Sequence, residues 1–501
     1  MMATAHGRDD SPIRPIPDGW RTPVIEDADH PAHAEHKRSM NEVQDHFEEF
    51  NHQLTLRRKN EQGRADSKKE GSMDAEPTKL PLRMRIKHVT WAWFTLTMAT
   101  GGIANVLYQV PLRFGGLRII GIVFFLLNIA FYLIIWAMLL ARFWFYPYTF
   151  KASFLHPTES LFVPSFAVSF GTILINIVEY GFDQTGSWLH KTVLILFWIN
   201  AGLAFCLSII IYLTLWSTQS FTIARMTPIW IFPAYPLLIV GPHAAVLSSQ
   251  LDNPLEALQV IVGGFTIQGI GFLVALTIYS AFVYRLMTQK LPADPLRPGM
   301  FVSVGPSAFT VSGVIGMSAN LGKIFSRMAH NEYMGVSGPL AASVLSLIAN
   351  WCSLWLWGLA LWFFFISLLS NLVCLRTKHH MPFAMSWFSL VFPQTALITS
   401  TFSIAKAFDI YALKIIGCVM TVMLVVMWFF VIGMMFRAII RKQILWPEKG
   451  EDKSEGGFKP DPRASVDKGP GDRGGEALTR VKSLIKERKN SLADRHKETV
   501  C

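Results

Sequence analysis

The chain has 501 residues, of which 51% are hydrophobic and only 16% charged, and its formal net charge is +11. A soluble domain of this length would spend more charge on its surface, so the composition excludes an ordinary globular fold. The basic residues lie in tails and short loops and build no aromatic-interleaved patch. The excess positive charge therefore reads as membrane-surface electrostatics and not as a nucleic-acid partner.

In chain order, residues 1–80 are rich in Lys, Arg, Asp and Glu and read as a disordered N-terminal tail. The start, MMATAHGRDD, lacks the apolar core of a signal peptide, so targeting falls to the first transmembrane helix. Residues 81–446 form a series of long apolar runs. A helix crossing a hydrocarbon core of about 30 Å needs roughly 20 apolar residues, and that rule predicts about ten transmembrane helices. They fall near 89–110, 117–141, 158–178, 188–213, 227–249, 256–284, 299–319, 337–370, 382–404 and 413–436. Residues 447–501 form a second charged, disordered tail. The five cysteines show no disulfide framework or metal-ligand spacing. No paired acid and base, nucleophile constellation or cofactor motif occurs at membrane depth, which argues against a membrane enzyme.

An even number of spans puts both termini on one side, and the Lys/Arg bias says which. Arg142, Lys151, Arg225, Arg285, Lys290, Arg297, Arg376, Lys378 and six flanking cations fall on the terminal side. Arg113, Arg118, Lys191, Lys323, Arg327, Lys406 and Lys414 fall on the other. The imbalance predicts cytosolic termini.

Proline and polar residues alternate along the spans. Pro164, Pro233, Pro236, Pro242, Pro306 and Pro393 all lie in odd-numbered spans, and Gly101-Gly102 takes their place in the first. Inside a bilayer such breaks are tolerated where neighbours or a watery cavity satisfy the freed carbonyls. The odd spans also hold most of the hydroxyls and amides, whereas the even spans are largely Leu, Ile, Val, Phe and Trp. Any one Pro, Ser or Thr is explained by helix packing alone. The phase-locked repeat predicts more: an all-α integral membrane fold of five helical hairpins, odd members inside around a pore and even members outside. Thr100, Ser169, Ser307 and Thr399 then become candidate path residues, able to hold an anion without a buried charge. His243, after Pro242, is the only ionisable side chain expected well within an odd span. It reads equally as a proton relay or as a neutral imidazole bonded to a freed carbonyl.

Several stretches resemble a known family. They are Lys87-His88-Val89-Thr90-Trp91-Ala92-Trp93-Phe94 with Thr97-Met98-Ala99-Thr100-Gly101-Gly102, then Pro111-Leu112-Arg113-Phe114, then Pro228-Ile229-Trp230-Ile231-Phe232-Pro233. Arg297-Pro298-Gly299-Met300-Phe301 with Val304-Gly305-Pro306-Ser307-Ala308-Phe309, and Trp387-Phe388 with Phe392-Pro393, complete the set. Residues 80–446 so resemble the tellurite-resistance/dicarboxylate transporters, also called voltage-dependent anion transporters, and within them the fungal malic acid permeases.

That resemblance implies a quasi-fivefold arrangement of hairpins around a central pore, commonly as a homotrimer in the plasma membrane. It implies transport of a C4-dicarboxylate anion such as malate, succinate or malonate, with protons as a further cargo left open. Sulfite or inorganic-anion efflux is the alternative within the same family. Phe392 matches the position of a pore-plugging phenylalanine in the channel branch. Arg113, Arg297 and Lys406 lie within or beside the matching stretches, which raises them above ordinary snorkelling cations as anion-attracting groups. A passive channel and a proton-coupled carrier both fit.

Overall fold

The computed structural model describes residues 82–218, 223, 226–328, 332–374 and 381–446. Ten long helices dominate it: α1 (Phe94–Gln109), α2 (Leu117–Phe145), α3 (Ser165–Gly181), α4 (Ser187–Thr218), α5 (Tyr235–Gln250), α6 (Pro254–Gln289), α7 (Gly305–Phe325), α8 (Gly338–Val373), α9 (Phe392–Ala407) and α10 (Tyr411–Ile440). With their lead-in turns, nine helical segments among the described residues are long and apolar enough to cross a membrane. The remaining one is α1, whose 16 residues include Thr95, Thr97, Thr100 and Gly101-Gly102 in place of apolar side chains. Each helix coincides with one of the ten predicted spans. A short helix at Tyr148–Leu155 and a two-residue hairpin pairing Glu332–Tyr333 with Val336–Ser337 carry no such apolar signal and were not expected. Both charged tails lie outside the described residues, as do Arg225, Arg376 and Lys378.

Burial separates the helices into two classes. In the most apolar stretch of the segments holding α3, α5, α7 and α9, 83–89% of residues are buried; in α2, α4, α6, α8 and α10 only 22–33% are. Every residue of α1 from Phe94 to Leu107 is buried as well. The inner helices pack in one closed ring: α1 on α3, α3 on α5, α5 on α7, α7 on α9, and α9 back on α1. Each even helix returns the chain across the layer, so all five ring helices run in the same direction. The outer helices lean on the ring and present Trp144, Trp216, Trp355, Met423 and Ile440 outward. A surface of that kind is stable only against lipid.

The helix breaks recur at one level. A 3-10 segment leads into α1 (Trp91–Trp93), α5 (Pro228–Ala234), α7 (Asp294–Val304) and α9 (Met385–Leu390), and a short helix (Glu159–Phe162) leads into α3. Pro236, Pro306 and Pro393 each stand in the first turn of the α-helix that follows, and Pro164 immediately precedes α3. Proline fits there because the first-turn N–H has no intrahelical acceptor to lose and the fixed φ suits a helix start. Carbonyls left over at these junctions are taken by hydroxyls. Tyr235 donates to Val302 O (2.5 Å), Tyr279 to Ser303 O (2.6 Å), Tyr212 to Trp230 O (2.9 Å) and Thr95 to Ala92 O (2.6 Å). Ser165 donates to Phe162 O and Ser389 to Pro298 O.

The outer helices are pinned to the ring by single polar side chains near mid-length. Trp428 of α10 donates to Thr100 Oγ1 of α1 (3.1 Å), Trp357 of α8 to Thr401 Oγ1 of α9 (3.0 Å), and Gln268 of α6 to Phe309 O of α7 (2.8 Å). Gln268 fits because Gly241 and Gly313 face it from α5 and α7, where a Cβ on either would strike its amide. Asn128 of α2 and Asn200 of α4 are fully buried beside Gly101 and Gly171 in the corresponding seams.

Candidate functional site

The axis of the ring is closed where the α-helices begin. Phe392, the first residue of α9, is 3% exposed. Its ring lies 5.3 Å from that of Phe309 on α7 and 5.8 Å from that of Tyr235 on α5. Tyr235 stacks on Phe232 at 5.3 Å, and Phe232 meets Phe162 of the α3 lead-in at 4.9 Å. Thr95 and Met98 supply the α1 side of a residual cavity bounded by Phe232, Tyr235, Val302, Phe388 and Phe392. That cavity is about 10 Å³, the room of a single water. Four of the five ring helices or their lead-ins thus contribute rings to one aromatic plug, with Thr95 and Met98 closing the α1 side, and each ring pair adds about 0.5–1.5 kcal/mol beyond its buried area.

The plug sits among five parallel helix N-termini. Each carries the equivalent of roughly half a positive charge, and together they favour an anion arriving from that side. No fixed cation is needed at mid-depth, where one would be costly.

The five hydroxyl and imidazole candidates are dispersed around the ring. Thr100 bonds Leu96 O (2.8 Å) and accepts from Trp428, so it points to the outer helix α10. Ser169 Oγ lies 2.6 Å from Thr97 Oγ1 and joins α3 to α1. Ser307 meets Tyr279 of α6 (3.4 Å), and Thr399 bonds back to Ala396 O (3.1 Å). His243 is fully buried against Phe197 of α4, ring centroids 5.0 Å apart. Neither of its nitrogens has a hydrogen-bond partner among the described residues.

The three cations differ in their engagement. Arg113 donates to Tyr108 O (2.9 Å) and lies over the Tyr108 ring at the mouth opposite the plug. Lys406 is exposed in the last turn of α9 on that same side. Arg297 is a clamp: it pairs with Asp294 (3.0 Å) and donates to Pro292 O, Ser370 O and Cys374 Sγ, tying the α7 lead-in to the end of α8. Burial pushes the Cys374 thiol up.

Two charged groups depart from the sequence reading. Arg142, expected as a terminal cation of the kind that snorkels, is fully buried and holds Glu159 at 2.6 Å, while also donating to Val89 O (2.8 Å). Ser153 completes the cluster by donating to Glu159 Oε1 (2.9 Å), and the Glu159 and Thr158 amides donate to His156 Nδ1. Burial lowers the His156 pKa to about 4, and burial with Lys87 and Arg142 does the same to His88. The second group is Glu179. Helix α3 runs to Gly181, past the predicted end at 178, and so takes Glu179 inside as a second ionisable side chain of an inner helix, 2% exposed. Gln109 reaches it weakly (3.4 Å) and is itself held by Asn105 (2.6 Å). The spacing of Glu159 from Arg142 offers no local pattern. A carboxylate within four residues of an apolar span was the available signal for Glu179.

One family profile and three related proteins match this chain. The profile described as voltage-dependent anion channel matches residues 88–436, which takes in all ten helices but the last turn of α10. A malic acid transport protein of Schizosaccharomyces pombe is 32% identical over 374 residues, 74% of this chain and 83% of that one. A putative malic acid transport protein of the same yeast is 30% identical over 74% of this chain and 84% of its own length. A sulfite efflux pump of Trichophyton rubrum is 23% identical over 68% of this chain and 88% of that one.

Proposed function

Because this chain belongs to the voltage-dependent anion channel family, and so is a multi-pass membrane protein of anion transport, we propose that its cargo is a C4-dicarboxylate such as malate. The anion moves along the axis of the α1–α3–α5–α7–α9 ring, and Phe392 with Phe309 and Tyr235 closes that axis at rest. The observation that carries the reading is the aromatic plug itself, set among five parallel helix N-termini in an otherwise helical ring.

Malate is preferred over sulfite because the two malic acid transport relatives are 32% and 30% identical, against 23% for the sulfite pump. Arg113 and Lys406 at the far mouth and the helix N-termini at the near one draw anions from both sides. Both tails lie in the cytosol by the Lys/Arg bias, the membrane is the plasma membrane, and the chain works as a homotrimer. Radiolabelled malate uptake into proteoliposomes, with and without a pH gradient and with sulfite as competitor, tests the reading. Saturable malate uptake that sulfite blocks only at large excess is expected. Sulfite flux without malate flux would transfer the chain to the sulfite branch.

A further inference from the structure

A second cavity lies behind the plug. It measures about 310 Å³ and opens between α8 and α10, with α9 and its lead-in as the floor. Its walls are apolar: Phe364 from α8, Met423 and Met427 from α10, and Trp387 from the lead-in. Two polar groups interrupt that lining: the indole N–H of Trp387, without a partner among the described residues, and Gln394, two residues after Phe392 and therefore about 200° around α9, on the back of the helix whose front carries the plug. Gln394 is 7% exposed, and neither its Nε2 nor its Oε1 finds a partner among the described residues. At the terminal-side rim, Asn371 at the end of α8 also lines the space, its Nδ2 held by Arg297 O and Ser367 O and its Oδ1 buried without a partner among the described residues.

An open cavity walled by apolar helices faces lipid, where no water is at hand to satisfy a primary amide. Gln394 requires a partner that both donates to Oε1 and accepts from Nε2, and a hydroxyl does both. No charged side chain lines the space, so a charged head is disfavoured. A plain acyl chain would fill the volume and leave the amide unbonded. The size falls in the range of small-molecule sites, and the thioethers of Met423 and Met427 adapt to an irregular guest.

We propose that this cavity binds a neutral, membrane-dissolved alcohol with an apolar body, its hydroxyl on Gln394, whose amide, covered at rest, turns into the space to meet it. The guest sits against the back of the helix that carries Phe392 and so bears on the position of the plug. Binding itself does not depend on which anion is carried, and it is measured separately from flux.

The test uses the full-length chain in lipid nanodiscs and a diazirine-bearing octanol as photoreactive probe, with adducts located by mass spectrometry. Adducts are expected to concentrate on the facing segments of α8 and α10, to fall at least fivefold with excess 1-decanol, and to persist with decane. Gln394→Leu should lower the decanol-sensitive labelling at least fivefold. Met423→Trp, which fills the space from α10 and leaves α9 untouched, should do the same, so the result does not hang on one variant's folding. Labelling spread evenly over the outer faces of α2, α4 and α6, or blocked equally by decane, overturns the site. Disulfide formation between copies through Met423→Cys overturns it too, because a second chain would then cover the opening.

Discussion

Phe392 of α9 packs its ring against Phe309 of α7 with centroids 5.3 Å apart and planes at 38°, bridging two neighbouring inner helices. Neither ring is replaceable by a neighbour, since the residual cavity beside Phe392 holds about 10 Å³. Phe392→Ala is expected to raise malate flux several-fold at unchanged surface abundance, with Phe309→Ala giving a smaller rise. A phenylalanine in a tightly packed core would cost about 3–5 kcal/mol on truncation, and one that lines a path costs less. Unchanged flux together with loss of folded protein would make Phe392 a packing residue. Flux and a melting curve on the same preparation separate the outcomes.

Arg142 and Glu159 form a fully buried pair that also holds the Val89 carbonyl and the Ser153 hydroxyl. Removing one partner leaves an uncompensated charge, at a cost of about 3–5 kcal/mol, whereas an apolar replacement of both is often neutral. Arg142→Met alone should therefore abolish most surface expression, and Arg142→Met with Glu159→Leu should recover a large part of it. Fluorescence-detected size exclusion of the three proteins decides the matter. A double variant as poor as the single one would assign the pair a role beyond charge balance.

His156 accepts the Thr158 and Glu159 amides on Nδ1, and burial lowers its pKa to about 4. A histidine held neutral in the fold takes up a proton on unfolding once pH falls below its ordinary value near 6.5, so stability is lost between about pH 6.5 and 4 as pH falls. Acidifying a solution of detergent-solubilised protein should lower its melting temperature over that window. His156→Asn keeps an acceptor for the two amides and should flatten the dependence. An unchanged slope in His156→Asn would move the effect to His88, which burial also holds neutral.

How much of this was legible in the sequence follows from what each signal depends on. Span positions rest on local hydropathy, and every predicted run met a helix. The inside-outside alternation was readable because Pro164, Pro236, Pro306 and Pro393 occupy one position in a repeating unit. Their mechanism was not: they start α-helices after 3-10 turns, and the hydroxyls of Thr95, Ser165 and Ser389 serve the carbonyls there. Ser307 and Thr100 bond to outer helices because hydroxyls on a buried helix have two faces to choose from, a choice that composition does not encode. The plug partners Tyr235 and Phe309 were invisible for a related reason. In a chain with 37 phenylalanines, only the closure of the ring says which rings meet. Lone polar residues in greasy spans, Asn128, Asn200 and Gln268, were the overlooked local clue to the seams between helices.

Glu179 supplies the last prediction. It is buried near the end of α3 opposite the plug, with Oε1 at 3.4 Å from Gln109 and no partner for Oε2 among the described residues. A carboxyl on the proposed route matters through its charge: ionised, it would oppose a dianion about 10 Å away by about 3 kcal/mol at an effective dielectric of 20, and neutral, it would not. Arg113 offsets part of that repulsion from the same mouth, where it lies over Tyr108. Glu179→Gln keeps the shape and the hydrogen-bonding reach toward Gln109 and fixes the side chain in an uncharged form. An isolated buried carboxyl disfavours charge, so at neutral pH malate flux should stay within about twofold and the melting temperature should not fall; a tenfold rise in malate flux would mean that the wild-type side chain is ionised. Arg113→Gln should lower malate flux. If Glu179→Gln instead abolishes malate flux at normal surface abundance, the carboxylate is required for transport, and repeating the assay with and without a pH gradient then shows whether it is required for carrying a proton.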